Sequence, residues 1–242
     1  VWEILSRIRR NNPDLHGATG LLEDALLKLP HEGNEERNKN AALFYQRCMQ
    51  FTGPLMAKGV EDTLMYTWNR FIGHNEVGDQ PASFGISVRD FHTAMIKRQQ
   101  SWPYSLNATS THDTKRGEDA RARLNVLTDF ADNWFKTVAE WRESNKETRG
   151  IIDPNDEYFI YQLLIGSWPM PGEDESDFEN RFGEYLQKAF REAKTHTNWT
   201  EPDTEYESAV KEFVSKLLQK DSPFRESFIA FAEQIFDHGI IN

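Results

Sequence analysis

The sequence lacks the features that mark secreted and membrane proteins. Cys48 is the only cysteine among 242 residues, so an intramolecular disulfide is impossible. No hydrophobic run approaches the roughly 18 residues that span a bilayer, and the first residues have no signal-peptide profile. These absences predict a cytoplasmic protein that makes no contact with a membrane.

Basic charge is scarce relative to acidic charge. The sequence has 28 Lys and Arg against 39 Asp and Glu, which gives a formal net charge of −11. Such a surface repels nucleic acid and anionic membranes, so neither is an expected partner. The histidines are too scattered for a metal site, and no Gly-rich phosphate loop or nucleotide motif is present. No metal and no cofactor are therefore expected.

Aromatic side chains and helical periodicity are abundant. Seven Trp, seven Tyr and 16 Phe stand in an otherwise polar sequence. Large rings build protein cores, and they also stack on sugar rings. Apolar residues recur at helical spacing in several segments. These segments are Leu21–Leu29, closed by Pro30, then Glu35–Phe51, which Gly53-Pro54 is expected to break, and helices predicted to begin at Ser176, Thr204 and Ser222.

Strand signals are nearly absent. The clearest candidate is Ser105–Thr111, a short run of small and β-branched residues that follows Trp102-Pro103. A single strand cannot form a sheet. This segment is therefore either an extended stretch on a helical body or a strand whose partners lie outside the sequence. The chain also begins at Val1, inside a plausible helix and without Met, which favours a piece of a longer protein.

The residues after this candidate strand are the best candidates for chemistry. His112 and Asp113 follow its carboxyl end, where barrels of alternating strands and helices place catalytic groups. An Asp there hydrogen-bonds sugar hydroxyls and stabilises positive charge at the sugar carbon, and Lys115 with Arg116 favours its ionised form. The alternative is a solvated loop whose Asp caps the next helix. The dipeptide alone leaves both interpretations open.

Longer strings in the sequence resemble one family. They are Thr109–Leu124, Met56–Thr63 with Tyr66, and Asn75–Gly78, with further matches at Asn155–Tyr158, Trp168-Pro169 and Ala193–Trp199. The resemblance is to maltooligosyl trehalose synthase, or (1→4)-α-D-glucan 1-α-D-glucosylmutase, of the α-amylase superfamily. The matching strings run from about residue 40 to the end of the sequence.

The resemblance implies an isomerase that acts on maltooligosaccharides. Such enzymes convert the reducing-end α-1,4 link into an α,α-1,1 link. The resemblance implies that Asp113 is the carboxylate that stabilises the transition state. The residues then expected to bind the substrate or to close over it are His112, Lys115, Lys58, Glu61, Asp62 and Tyr66. For the segment around Lys58, the alternative is a capped helix start with acids at its positive end.

The resemblance also implies that part of the active site is missing. Enzymes of this superfamily take a nucleophilic Asp and an acid/base Glu from earlier barrel strands. No matching motif stands in residues 1–105. We therefore expect a fragment from the C-terminal half of the parent protein, inactive alone, whose partners are the glucan and the missing barrel portion of the same protein.

The expected fold is mainly α, with helical subdomains inserted in an incomplete (β/α) barrel and at most a few short strands. The predicted parts are a helical subdomain (1–104), a barrel strand-helix segment with the His-Asp motif (105–128), a helical insertion (129–220) and a barrel helix (221–242). Two other functions compete with the mutase. One is a helical scaffold or interaction module without catalysis, and the other is a hydrolase or glucanotransferase of the same superfamily.

Overall fold

The computed structural model describes residues 1–27, 33–80 and 83–242. Within these residues the chain is helical or irregular and contains no strand, which confirms the mainly α fold. The chain divides into two compact units, Val1–Lys58 and Gly59–Asn242. The predicted boundaries near residues 104, 128 and 220 all fall inside the second unit, and they stay predictions about a longer protein.

The first unit is built from helices. They are α1 (Trp2–Asn11), a 3-10 turn (Pro13–Leu15), α2 (His16–Leu27) and α3 (Glu35–Met56). Arg9 on α1 donates to the Thr19 hydroxyl at 3.0 Å and to the Glu23 carboxylate at 2.7 Å, which ties α1 to α2. The predicted end of the apolar run, Leu29 and Pro30, lies outside the described residues.

Helix α3 does not break at Gly53-Pro54, so that prediction was wrong. The helix continues to Met56 and passes directly into a π-helical segment, Ala57–Leu64. Pro54 has no amide hydrogen, so the carbonyl of Gln50 loses its usual partner. Because Gln50 and Pro54 are both exposed, water can satisfy that carbonyl, and the helix tolerates the proline.

One helix of the second unit, Pro154–Ser167, is largely buried, whereas another, Val88–Ser101, is exposed along its whole length. The helices of this unit are α4 (Met65–Thr67), α5 (Val88–Ser101), α6 (Glu118–Val126), α7 (Ala131–Ser144), α8 (Lys146–Arg149), α9 (Pro154–Ser167), α10 (Phe178–Ala193), α11 (Thr204–Leu218) and α12 (Pro223–Ile241). Helix α9 is buried along most of its length, and α6 packs against both α9 and α12. None of the described helices combines the length and apolarity that crossing a bilayer requires.

Aromatic rings form much of the core of the second unit. Trp141 on α7 lies 5.4 Å from Tyr161 on α9 and 5.0 Å from Phe224 on α12, measured between ring centroids. Tyr161 and Phe224 also stack on each other at 5.3 Å. All three side chains are buried, and such a ring contributes about 1.5–3 kcal/mol relative to an exposed one. These rings serve packing.

The predicted strand Ser105–Thr111 forms no strand with the described residues of this chain. Its residues are irregular and exposed, and Leu106 reaches 98% exposure. A strand needs a neighbour for its amides and carbonyls, and the described part of the chain supplies none. In the described residues this segment lies outside any sheet, and the alternative that its sheet partners lie outside the sequence stays a prediction.

The starts of the last three helices lie close to their predicted positions, but the caps of α10 and α11 differ from the predicted ones. The N-cap of helix α10 is Asp177. The predicted cap, Ser176, donates its hydroxyl to Asp174 at 2.8 Å instead. Helix α11 is capped by Asp203, whose carboxylate accepts the amide of Tyr206 at 2.9 Å. The cap therefore lies one residue before the predicted Thr204.

Candidate active site

The His-Asp pair lies on an exposed turn ahead of α6. His112 Nε2 is 3.2 Å from Asp113 Oδ2, and the two side chains are 91% and 69% exposed. Thr114 closes the turn. Its hydroxyl donates to the carbonyl of Thr111 at 2.6 Å and accepts a hydrogen bond from the amide of Thr111 at 3.2 Å. The turn presents both functional groups to solvent, where a ligand can reach them.

The residues after the pair anchor this turn. Glu76 is 8% exposed, and its carboxylate accepts the amides of Lys115 at 2.7 Å and Arg116 at 3.2 Å. The same carboxylate accepts the amide of Val77 at 3.0 Å. Hydrogen bonds to an ionised acceptor are roughly twice as strong as neutral ones. The base of the turn is therefore held by a buried side chain from another loop.

Arg116 connects the base of the turn to the core. Its guanidinium donates to the carbonyls of Ile72 at 3.1 Å and Asn75 at 3.3 Å, and it lies over the ring of Phe159 on α9 at 5.7 Å. Arg116 is itself 5% exposed. The loop that carries Glu76 and the base of the His-Asp turn thus form one hydrogen-bonded body on the buried helix α9.

Three predicted site residues meet beneath the turn. The Lys115 side chain is 4% exposed, and its ammonium lies 3.3 Å from Asp62 Oδ1 and 4.8 Å from the centroid of the Tyr66 ring. An ammonium over an aromatic face is attracted by the ring quadrupole. Lys115 therefore supports the turn from below, and a direct contact between Lys115 and substrate stays a prediction.

The phenol of Tyr66 is the uncharged member of this cluster. Tyr66 is buried, and desolvation raises the pKa of its phenol above the ordinary value. Burial also raises the pKa of the phenol of Tyr185. Both phenols keep their protons at neutral pH, so Lys115 faces a neutral ring on one side and the Asp62 carboxylate on the other.

Glu61 and Lys58 belong to the π-helical segment Ala57–Leu64. Glu61 accepts the amide of Gly78 at 3.0 Å, and Gly78 has a positive φ of 82° that favours glycine. This bond holds the loop of Glu76 at a second point. Lys58 lies in the first compact unit, whereas the other predicted site residues lie in the second.

The structural importance of Glu76 and Arg116 was not apparent from the sequence. The string Asn75–Gly78 was visible as a match to the family, but nothing local shows what its carboxylate binds. Glu76 reaches amides that lie 39 and 40 residues later in the chain. In the part of the chain that the structure describes, no group of three or more His, Cys, Asp or Glu side chains is arranged to hold a metal ion.

Comparisons with known proteins decide the family. No family model matches the chain. A Mycobacterium tuberculosis protein, provisionally named a maltooligosyl trehalose synthase, is 33% identical over 192 residues, which cover 79% of this chain and 24% of that protein. A solved structure of a maltooligosyl trehalose synthase is 36% identical with a TM-score of 0.76, and the match covers 87% of this chain and 28% of that one. This chain is homologous to maltooligosyl trehalose synthases.

The maltooligosyltrehalose synthase of Arthrobacter ramosus agrees with this assignment. Its structure matches at 28% identity with a TM-score of 0.76, over 97% of this chain and 28% of that chain. The chain thus spans about a quarter of the length of the synthases that it matches. The match to maltooligosyl trehalose synthases confirms the resemblance inferred from the motif strings.

Proposed function

We propose that this chain supplies part of the active site of a maltooligosyl trehalose synthase, which converts the reducing-end α-1,4 link of a maltooligosaccharide into an α,α-1,1 link. The named synthases among its relatives support this activity. The observation that carries the proposal is the position of Asp113. Its carboxylate stands exposed on a turn whose base is fixed by the buried Glu76 and Arg116.

In this proposal Asp113 stabilises the transition state and His112 binds the sugar. The reacting sugar carbon gains positive charge as its bond to oxygen breaks. A carboxylate held close to that carbon stabilises the charge, and more so once the bound glucan has displaced water. The exposed imidazole of His112, beside Asp113, is proposed to hydrogen-bond a sugar hydroxyl.

The remaining residues are proposed to form the wall around the substrate. They are Glu61, Asp62, Tyr66 and Lys115, and substrate binding by Lys58 stays a prediction from the resemblance. The nucleophilic Asp and the acid/base Glu are proposed to come from other segments of a longer protein, because the matched region covers 24% of the relative. On this proposal the partners are the glucan and those segments. The chain alone is then expected to be inactive.

The experiment is an assay of the complete polypeptide that carries this sequence, with maltopentaose as substrate. Mutase activity removes reducing ends and leaves a non-reducing product of unchanged length. Release of glucose or maltose indicates a hydrolase, and an inert protein supports the non-catalytic scaffold; either result refutes the proposed reaction.

Asp113→Asn tests the proposed catalytic residue. We expect kcat to fall by about 10²–10³-fold, because a preorganised charge in the transition state is lost. Asp129→Asn is the matched control, since Asp129 is also an exposed acid near α6. Full activity in the Asp113 variant would show that the assigned role is wrong.

A further inference from the structure

We propose that Glu76 is a positioning residue for the reaction, and that it sets the location of Asp113 by fixing the backbone immediately after it. The inference rests on the proposed function of Asp113. Glu76 touches no reacting atom in this proposal. It acts through the backbone amides of Lys115 and Arg116, which lie two and three residues beyond Asp113.

The hydrogen bonds of Glu76 are suited to positioning. Oε1 accepts the amide of Lys115 at 2.7 Å, and Oε2 accepts the amide of Arg116 at 3.2 Å. Two adjacent amides bound by two oxygens of one rigid carboxylate restrict both the position and the orientation of the intervening peptide. Asp113 lies only two residues before Lys115, and the hydrogen bonds between Thr111 and Thr114 close the turn around it, so holding residues 115 and 116 limits its movement.

Glu76 is itself held in place. Its neighbour Asn75 is fully buried and donates to the carbonyls of Met65 at 3.0 Å and Trp68 at 2.6 Å, which fastens the loop to α4. On the other side, the amide of Gly78 bonds to Glu61 at 3.0 Å. The carboxylate therefore transmits the position of a fixed loop to the turn that carries Asp113.

Burial of this carboxylate requires an explanation. A carboxylate that is 8% exposed is costly to desolvate unless hydrogen bonds compensate it. The bonds of Glu76 go to its neighbour Val77 and to the two amides behind the His-Asp pair. A purely structural loop could be closed by apolar packing. Hydrogen bonds to the Glu76 carboxylate also define the geometry of the turn. A reacting carboxylate must be positioned to within a fraction of an ångström.

The test is Glu76→Gln in the complete polypeptide, with kcat and KM measured separately. Glutamine keeps the shape of the side chain, but its NH₂ group cannot accept a hydrogen bond, so one of the two amides loses its acceptor. We expect kcat to fall by about 10–10²-fold with KM changed by about twofold at most, since the misplaced carboxylate acts in the transition state.

The same substitution is then made in the Asp113→Asn background. If Glu76 acts through Asp113, replacing Glu76 in this background lowers kcat by about twofold or less, because Asp113 has already lost its charge. Hydrogen exchange followed by mass spectrometry is expected to show faster exchange of the amides of Thr114, Lys115 and Arg116 in the Glu76 variant.

Glu207→Gln is the control for simple loss of stability. Glu207 is also a well-bonded carboxylate of the second unit, with Arg191 at 2.7 Å and Thr197 at 2.7 Å. This variant is expected to be less stable, to keep kcat within about twofold, and to leave exchange at residues 114–116 unchanged.

The outcomes separate this inference from the proposed function. Equal losses of kcat from the Glu76 change with and without the Asp113 carboxylate overturn the positioning role. A large loss in the Asp113 variant with no loss in the Glu76 variant overturns the positioning role alone. Full activity in the Asp113 variant overturns both.

Discussion

The network around Glu207 allows the sharpest prediction about stability. Glu207 on α11 accepts from Arg191 Nε and Nη2 at 2.7 Å each, from the Thr197 hydroxyl at 2.7 Å and from Gln187 Nε2 at 2.9 Å. These bonds, led by the one from Arg191, lower the pKa of the carboxyl from 4.5 to about 2. Replacement of Glu207 by Gln removes the charge and nearly preserves the shape.

The magnitude follows from this pKa. Each pKa unit is worth about 1.4 kcal/mol of free energy. The fall in the pKa of Glu207 from 4.5 to about 2 therefore corresponds to about 3 kcal/mol of stability. Solvent at the edge of the network screens part of this energy, and ordering the side chains costs entropy. We therefore expect Glu207→Gln to lower the free energy of unfolding by about 1–2 kcal/mol near neutral pH.

The pH dependence supplies the refuting result. Because the pKa of folded Glu207 is depressed, its contribution is complete above pH 4.5 and is lost as the pH falls toward about 2. Urea unfolding followed by circular dichroism should show a difference between wild type and variant that shrinks across this window. A difference that stays constant over the window would refute the reasoning. Glu212→Gln on the same helix is the control, and its exposed pair with Lys216 should leave stability unchanged.

Two further predictions concern packing and a buried charge. Gly239→Ala on α12 should destabilise the protein by about 1–3 kcal/mol, because the new Cβ would lie 2.8 Å from Arg123 Cγ and 3.1 Å from its Cα. Gly183→Ala on α10 is the matched control, because no atom lies within 4 Å of the new Cβ. Thermal unfolding should show that this variant gains about 0.5–1 kcal/mol of stability. A loss of stability in both variants would contradict the steric argument. Glu157→Gln should cost about 2–3 kcal/mol in urea unfolding, since Glu157 is fully buried and accepts from Arg149 at 3.0 Å; an unchanged midpoint would show that this pair adds no net stability.

Local signals in the sequence predicted the starts of the last three helices well. Helix α12 begins at Pro223, as the Ser222-Pro223 pair predicted, because proline at the first helical position needs no amide partner. The starts of α10 and α11 were predicted within two residues, but the predicted caps were displaced. Caps are chosen among neighbouring polar side chains by the local path of the chain, and the sequence does not show that path.

Predictions that depended on the tertiary environment fared less well. Gly53-Pro54 was expected to end a helix, yet exposure to solvent allows α3 to continue. The residues Ser105–Thr111 have strand-like composition, but β structure requires a second strand, which the described residues do not provide. Propensity alone cannot supply such a partner.

The amino-acid sequence by itself determined the helical class, the absence of a disulfide within these 242 residues and the relationship to maltooligosyl trehalose synthases, because each depends on local pattern or on residue identity. It also singled out Asp113 and His112. Only the tertiary structure decided how that pair is held. The carboxylate of Glu76 meets the amides of Lys115 and Arg116 across 39 and 40 residues of chain, and contacts over such distances arise from packing of the whole unit.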